Sequence, residues 1–318
     1  MALRTTRRPP TDTDQSNDQT VSPAAAPPVP ERVWRFFRRI PAYAYFGAAL
    51  NLAAWISSWG RIGPWAYTFF ALWLGFILLL DGLNVAVSGS SPLRRGWQRF
   101  VLMFVVSSVF WWVFEGLNVP VQNWHYVFDH PYSPLAYFLI ASLNFSTVLP
   151  AVMEIASLYT SLPALRPRLG TEADQDVPRA RRRTIALLLA LGAVMLALPF
   201  LMPQVFYGLV WLCLVFLLDP INHLFGRKST LAHLLAKDWR FLVALPLSGI
   251  TCGFFWEMWN SLALPKWYYT VPFVDRFPHL FEMPLPGYLG YLPFALELFA
   301  MYQLALLVLR IRDDNLTF

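Results

Sequence analysis

Charge is scarce in this sequence. Of its 318 residues only 14% are Asp, Glu, Lys or Arg, against roughly 25% in soluble globular domains, so a chain with water on every side is excluded. Cysteine is nearly absent. Cys213 and Cys252 both stand in apolar runs, and two such residues build neither a disulfide framework nor a metal knot; they read as small buried apolar side chains. The five histidines, at 125, 130, 223, 233 and 279, are scattered, so no metal is expected and no cofactor is specified. P-loop, GxSxG and HExxH patterns are missing, which removes the familiar nucleotide-binding, serine-hydrolase and zinc-protease classes.

What remains is apolar: 57% hydrophobic and 17% aromatic. A helix needs about 20 apolar residues to cross a bilayer. Eight stretches qualify, near 41–59, 64–80, 99–119, 135–160, 184–203, 205–219, 240–260 and 287–309. The first carries Asn51 and Ser57, and 205–219 is short, ending at Asp219. The expected fold class is an all-α integral membrane protein of about eight transmembrane helices. Residues 1–40 are rich in Pro, Ser, Thr and charge without apolar periodicity. They read as a disordered cytoplasmic tail that lacks a signal-peptide core and is kept.

Lys and Arg stay on the cytoplasmic side during insertion. With the N-terminus inside, eight spans place all but Arg61, Lys266 and Arg276 of the 25 Lys and Arg on that side. The net charge of +6 is then a topology signal, with some attraction to anionic lipid, and requires no nucleic acid.

The chain also repeats itself. Asp81 and Asn84 in LLLDGLN match Asp219 and Asn222 in LLDPINH, and Trp73 matches Trp211. FEGLN, with Glu115 and Asn118, matches WEMWN, with Glu257 and Asn260. NWHY matches KWYY, pairing Trp124 with Trp267 and Tyr126 with Tyr269. LPAVMEIASLY matches LPFALELFAMY, pairing Pro150 with Pro293 and Glu154 with Glu297. The offset drifts only from 138 to 143. Two four-helix repeats, 41–160 and 184–311, are expected to run in the same direction. A basic cytoplasmic linker at 161–183 joins them and a short cytoplasmic tail at 312–318 follows.

Polar residues inside a membrane are expensive and mark function or helix pairing. Glu257 and Asn260 share a helix face, continued by Gly249 and Gly253. Glu257 reads as a general acid, with Asn260 orienting it and Glu297 as base or partner; Glu115, Asn118 and Glu154 are the repeat counterparts. Pro150 and Pro293 each stand four residues before a Glu and are expected to kink a helix by freeing the carbonyls of Ser146 and Leu289. Asp219, ahead of Pro220, reads as the cap of a short interfacial helix. The sharper reading of Asp219, Asn222 and His223 is a metal or proton site, weakened because Val85 stands at the matching position beside Asp81 and Asn84. The aromatic, proline-rich stretch 262–297, with Glu282 as a further catalytic candidate, reads as an interfacial or re-entrant lid.

The motifs GFFWEMWN, KWYYTVP, LFEMPLPGYLG and LPFALELFAMY, over about 205–305, resemble those of a bacterial family of multi-pass membrane proteins of unassigned activity. More distantly, an acidic residue followed by an aromatic W-x-Y and a Pro-Leu run is similar to integral-membrane carotenoid cyclases and hydratases. The resemblance implies the bacterial inner membrane, a lipid or isoprenoid substrate, and acid chemistry on double bonds. Trp256, Trp259, Tyr268 and Tyr269 would then shield a carbocation. A transporter with paired carboxylates and a membrane assembly factor are the competing readings.

Overall fold

The computed structural model describes residues 29–63, 65–162, 179–312 and 314–316; the rest of the tail and most of the linker lie outside them. It is a helical multi-pass membrane fold. Among the described residues seven helical stretches are long and apolar enough to span a bilayer: 67–88, 97–121, 134–161, 182–201, 203–224, 239–261 and 285–308. The stretch expected at 41–59 also folds, as a 19-residue helix over Ala42–Gly60, but is not among those seven. Leu187, Leu201, Val119 and Val308 are about 70% exposed, as a surface facing lipid requires.

In chain order the elements are α1 Val29–Arg39, α2 Ala42–Gly60, α3 Trp65–Ser88, α4 Pro92–Arg95, α5 Trp97–Val121, β1 Trp124–Val127, α6 Pro134–Phe145 and α7 Val148–Ser161. There follow α8 Arg182–Leu201, α9 Pro203–Phe206, a 3-10 turn over Tyr207–Trp211, α10 Cys213–Leu224, α11 Thr230–Leu235 and α12 Trp239–Ser261. The chain closes through β2 Lys266–Tyr269, β3 His279–Leu280, β4 Met283–Pro284, a 3-10 turn over Leu285–Gly290 and α13 Tyr291–Val308.

Several boundaries depart from the sequence expectation. Residues 29–39, assigned to the tail, form a helix. Val33, Trp34 and Phe37 are exposed on one side of it and Arg35, Arg38 and Arg39 stand on the other, the pattern of a helix lying in a membrane interface. The span expected to end at residue 80 continues to Ser88, because Asp81 is satisfied inside the helix by the Tyr43 hydroxyl and the Leu93 N–H.

The two prolines do not kink continuous helices. The chain breaks at Ser146–Thr147, and again at the 3-10 turn before α13, so that Pro150 and Pro293 are each the third residue of a new helix. The first turn of a helix has N–H groups with no intrahelical acceptor, so a proline there costs nothing. Pro220 does not open a helix either; it lies within α10.

The stretch after α12 carries more regular structure than a lid. β2 pairs antiparallel with β1, Trp124 opposite Tyr269 and Tyr126 opposite Trp267, and β3 pairs with β4. The segment beyond α13 is not a free tail. Asn315, 1% exposed, accepts from the Tyr302 hydroxyl at 3.0 Å and donates to the Pro92 carbonyl at 3.1 Å, while its own carbonyl accepts from Arg95 at 2.6 Å. Lys228 binds Asp314 at 3.0 Å beside it. Replacing Asn315 by Ala leaves the main-chain bond to Arg95 but strips the buried Tyr302 hydroxyl and Pro92 carbonyl of a partner. It is expected to cost about 1–3 kcal/mol, read as a lowered unfolding temperature of the purified protein in detergent.

Candidate functional site

α5 and α12 end in the same polar pattern, and each hands its chain to a strand of the same ribbon. The Asn118 side chain accepts from the Asn123 N–H at 2.7 Å and donates to the Trp124 carbonyl at 2.8 Å. Asn260 accepts from the Trp267 N–H at 2.9 Å and donates to the Trp267 carbonyl at 2.8 Å. Each carboxamide thus mimics a strand edge and fixes where β1 or β2 begins. Asn260 does not orient Glu257, as its position one turn away had suggested, because both of its bonding ends are taken by the main chain of β2.

With the strands so placed, their aromatic side chains fold back onto the two carboxyl groups. Glu115 accepts from the Tyr126 hydroxyl at 2.6 Å, Trp111 Nε1 at 3.0 Å and Trp124 Nε1 at 3.1 Å. Glu257, fully buried, accepts from the Tyr291 hydroxyl at 2.6 Å, the Tyr269 hydroxyl at 2.7 Å and Trp267 Nε1 at 3.4 Å. All three bonds fall on Oε1, and among the described residues Oε2 has no partner. Burial first, and then the neighbouring carboxylate, hold the Tyr126 and Tyr269 phenols well above their usual range, so both remain protonated donors at neutral pH.

Tyr291 reaches Glu257 because of two glycines. A Cβ on Gly253 would lie 2.3 Å from the Tyr291 ring, and one on Gly249 would lie 2.1 Å from the Tyr291 carbonyl oxygen. The glycine face of α12 is therefore the seat of the first residue of α13.

These groups border a cavity of about 440 Å³, within the range usual for small-molecule sites. Trp111, Trp124, Trp211, Trp256, Trp259 and Trp267 line it, with Phe294 and tyrosines that include Tyr126, Tyr269 and Tyr291. Glu115 and Glu257 do not line it. The carboxyl groups communicate with the cavity through the hydroxyls they hold. Tyr268, expected among the shielding rings, points elsewhere, stacking on His125 with ring centres 5.1 Å apart.

The other predicted residues lie apart from this centre. Glu297 accepts from the Leu214 N–H at 2.9 Å and so caps the start of α10; it is not a hydrogen-bond partner of Glu257. Glu154 takes the Asn84 amide at 2.7 Å, while Asn222 donates to the Ala300 carbonyl at 2.8 Å. Asp219 does act as a cap, but of α11 in trans: it accepts from the Thr230 N–H at 2.6 Å and the Leu231 N–H at 2.8 Å. Asp81 does the same for α4 through Leu93. His223 binds Ser229 and the Ala180 N–H, so it shares no ligand position with Asp219. Among the described residues no group of three or more His, Cys, Asp and Glu is placed to hold a metal. Glu282 forms an ion pair with Lys266 at 2.6 Å.

Sequence reasoning named Tyr269 among the shielding rings but missed Tyr126 and Tyr291 as groups facing the cavity. A signal existed for Tyr126, which stands after its Glu–Asn pair at the place matching Tyr269. No protein-family model, curated protein or solved structure matches the chain.

Proposed function

We propose that this chain is an enzyme of the bacterial inner membrane that carries out acid–base chemistry on a lipid or isoprenoid held in the aromatic cavity. One observation carries the reading: two carboxyl groups, half-buried Glu115 bonded to one tyrosine hydroxyl and fully buried Glu257 bonded to two, back onto a single cavity walled by tryptophan. A tyrosine hydroxyl bound to a carboxyl group can pass a proton into the cavity and be reprotonated from behind. The surrounding indole faces stabilise positive charge as it develops on an apolar substrate. Glu257, with Tyr269 and Tyr291, is the acid; Glu115, with Tyr126, is its counterpart across the ribbon.

The same proposal includes the architecture: eight spans in two parallel four-helix repeats, with both termini cytoplasmic. The antiparallel register supports it. Trp124 opposite Tyr269 and Tyr126 opposite Trp267 is the exchange a two-fold axis makes between matched residues. Cys213 and Cys252 are buried, so introduced cysteines report topology with little background. His130→Cys and Asp275→Cys are expected to label from outside. His233→Cys, and Gln175→Cys in the stretch outside the described residues, should label only from inside. One reversed position overturns the span assignment.

The function is tested by expressing the chain in an isoprenoid-producing host, extracting lipids and comparing them by mass spectrometry with a host expressing Glu257→Gln. A product formed only by the parent supports the enzyme; identical lipid profiles count against it. A second reading, proton-coupled transport, is favoured by Glu154 Oε1 and Glu297 Oε2, buried without partners just beyond the helix breaks. Proton flux into vesicles holding the purified protein, lost in Glu154→Gln, would favour that reading.

A further inference from the structure

The cavity has few polar side chains, and one of them is left over. Asn123 links α5 to β1 and is 2% exposed. Its main chain is held on both sides: the N–H donates to Asn118 at 2.7 Å, and the carbonyl accepts from the Thr270 N–H at 2.9 Å. Its side chain lines the cavity, and among the described residues neither Nδ2 nor Oδ1 has a partner. Asn144 and Trp259 line the same cavity, with Asn144 Oδ1 and Trp259 Nε1 also without partners there. Buried polar groups are nearly always hydrogen-bonded, and leaving one unmet is costly. An aromatic cavity whose unmet groups are a carboxamide, a carbonyl oxygen and an indole N–H is therefore incomplete without a ligand that supplies oxygen.

The charge of the lining narrows the ligand. Among the described residues Lys266 is the one cationic side chain along it, and Glu282 already binds Lys266 at 2.6 Å. A phosphate or carboxylate head would enter an apolar site without a free countercharge, which is strongly disfavoured. A neutral head avoids this. Asn123 offers a donor and an acceptor, and a hydroxyl can use either, whereas an ether or ketone can use only the donor.

Resting on the isoprenoid reading above, we propose that Asn123 is the polar anchor of the cavity and that the ligand is a neutral isoprenoid alcohol, bound by its hydroxyl with its chain against the tryptophan wall. Anchoring one end fixes which carbons lie near the hydroxyls of Tyr126, Tyr269 and Tyr291. Asn123 is thus a positioning and specificity residue and takes no part in proton transfer.

The test uses the full chain in detergent and tryptophan fluorescence quenching by farnesol, by its hydrocarbon counterpart farnesene and by farnesyl diphosphate. The parent is expected to bind farnesol about tenfold more tightly than farnesene, as a buried hydrogen-bonding group discriminates, and more tightly than the diphosphate. Asn123→Leu is expected to keep the farnesene affinity and to lose the preference for farnesol. Equal binding of farnesol and farnesene by the parent shows that the amide holds only water and overturns the anchor. Tightest binding of the diphosphate overturns the neutral head, and a preference that survives Asn123→Leu overturns the residue. Failure of the parent to bind any of the three overturns the isoprenoid reading itself. The ranking on the parent decides the matter even if the variant does not fold.

Discussion

Glu257→Gln is expected to fold as the parent does and to lose at least about a hundredfold in turnover, the usual scale for removing a general acid. The substitution keeps shape. Its carbonyl oxygen can still accept from Tyr269, Tyr291 and Trp267, and its amide takes the place of Oε2, which has no partner among the described residues. What it removes is the proton. Tyr291→Phe and Tyr269→Phe separate the steps, because each deletes one hydroxyl between the carboxyl group and the cavity. Each is expected to lower turnover by about tenfold or more, the larger loss marking the hydroxyl that faces the substrate. Lipid mass spectrometry on the expressing host reads all three. A Gln variant as active as its parent would mean that Glu257 only ties α12 to the ribbon and α13.

Gly249→Ala is expected to be the most damaging single methyl in the molecule. The added carbon meets the Tyr291 carbonyl oxygen at 2.1 Å and Ala295 Cβ at 2.9 Å, so α13 itself must move. Overpacking of this kind costs about 1–3 kcal/mol, and here backbone is the obstacle. Gly253→Ala meets the Tyr291 ring, which can swing aside at the expense of its bond to Glu257. The two variants should therefore differ in kind. The first lowers the unfolding temperature most; the second lowers turnover more than stability. Thermal unfolding in detergent and the lipid assay, run on both proteins, check this. Equal stability of Gly249→Ala and the parent would refute the close approach of α12 and α13.

The sequence showed the helices and the polar positions well, because a long apolar run is an unambiguous signal and a carboxylate inside one stands out. It read Glu257 as important on those grounds. It misassigned the neighbours for a physical reason. Helical spacing puts Asn260 near Glu257, yet the Asn260 amide finds better partners in the main chain of Trp267, which has no other strand to bond at that point. Tyr291 was invisible as a partner because it is 34 residues away from Glu257, and only the space left by Gly249 and Gly253 brings it there. Strands β1 and β2 hold four residues each, too few for an alternating pattern to show against an aromatic background. Glu297 was expected at the centre as the base or partner of Glu257, but the open N–H of Leu214 at a helix start claims it.

The contacts of Asn315 bear on how the protein is made. Arg95 and Pro92 are synthesised early, and they stay without these partners until residue 315 has left the ribosome. The inner face of the first four helices must therefore wait in the membrane in an open state while the remaining helices insert, and the final closure joins residues 220 positions apart. Any slowing of translation after residue 161 lengthens that wait, and a holding factor or protease acting on the side of the membrane where α4 lies would meet the protein there.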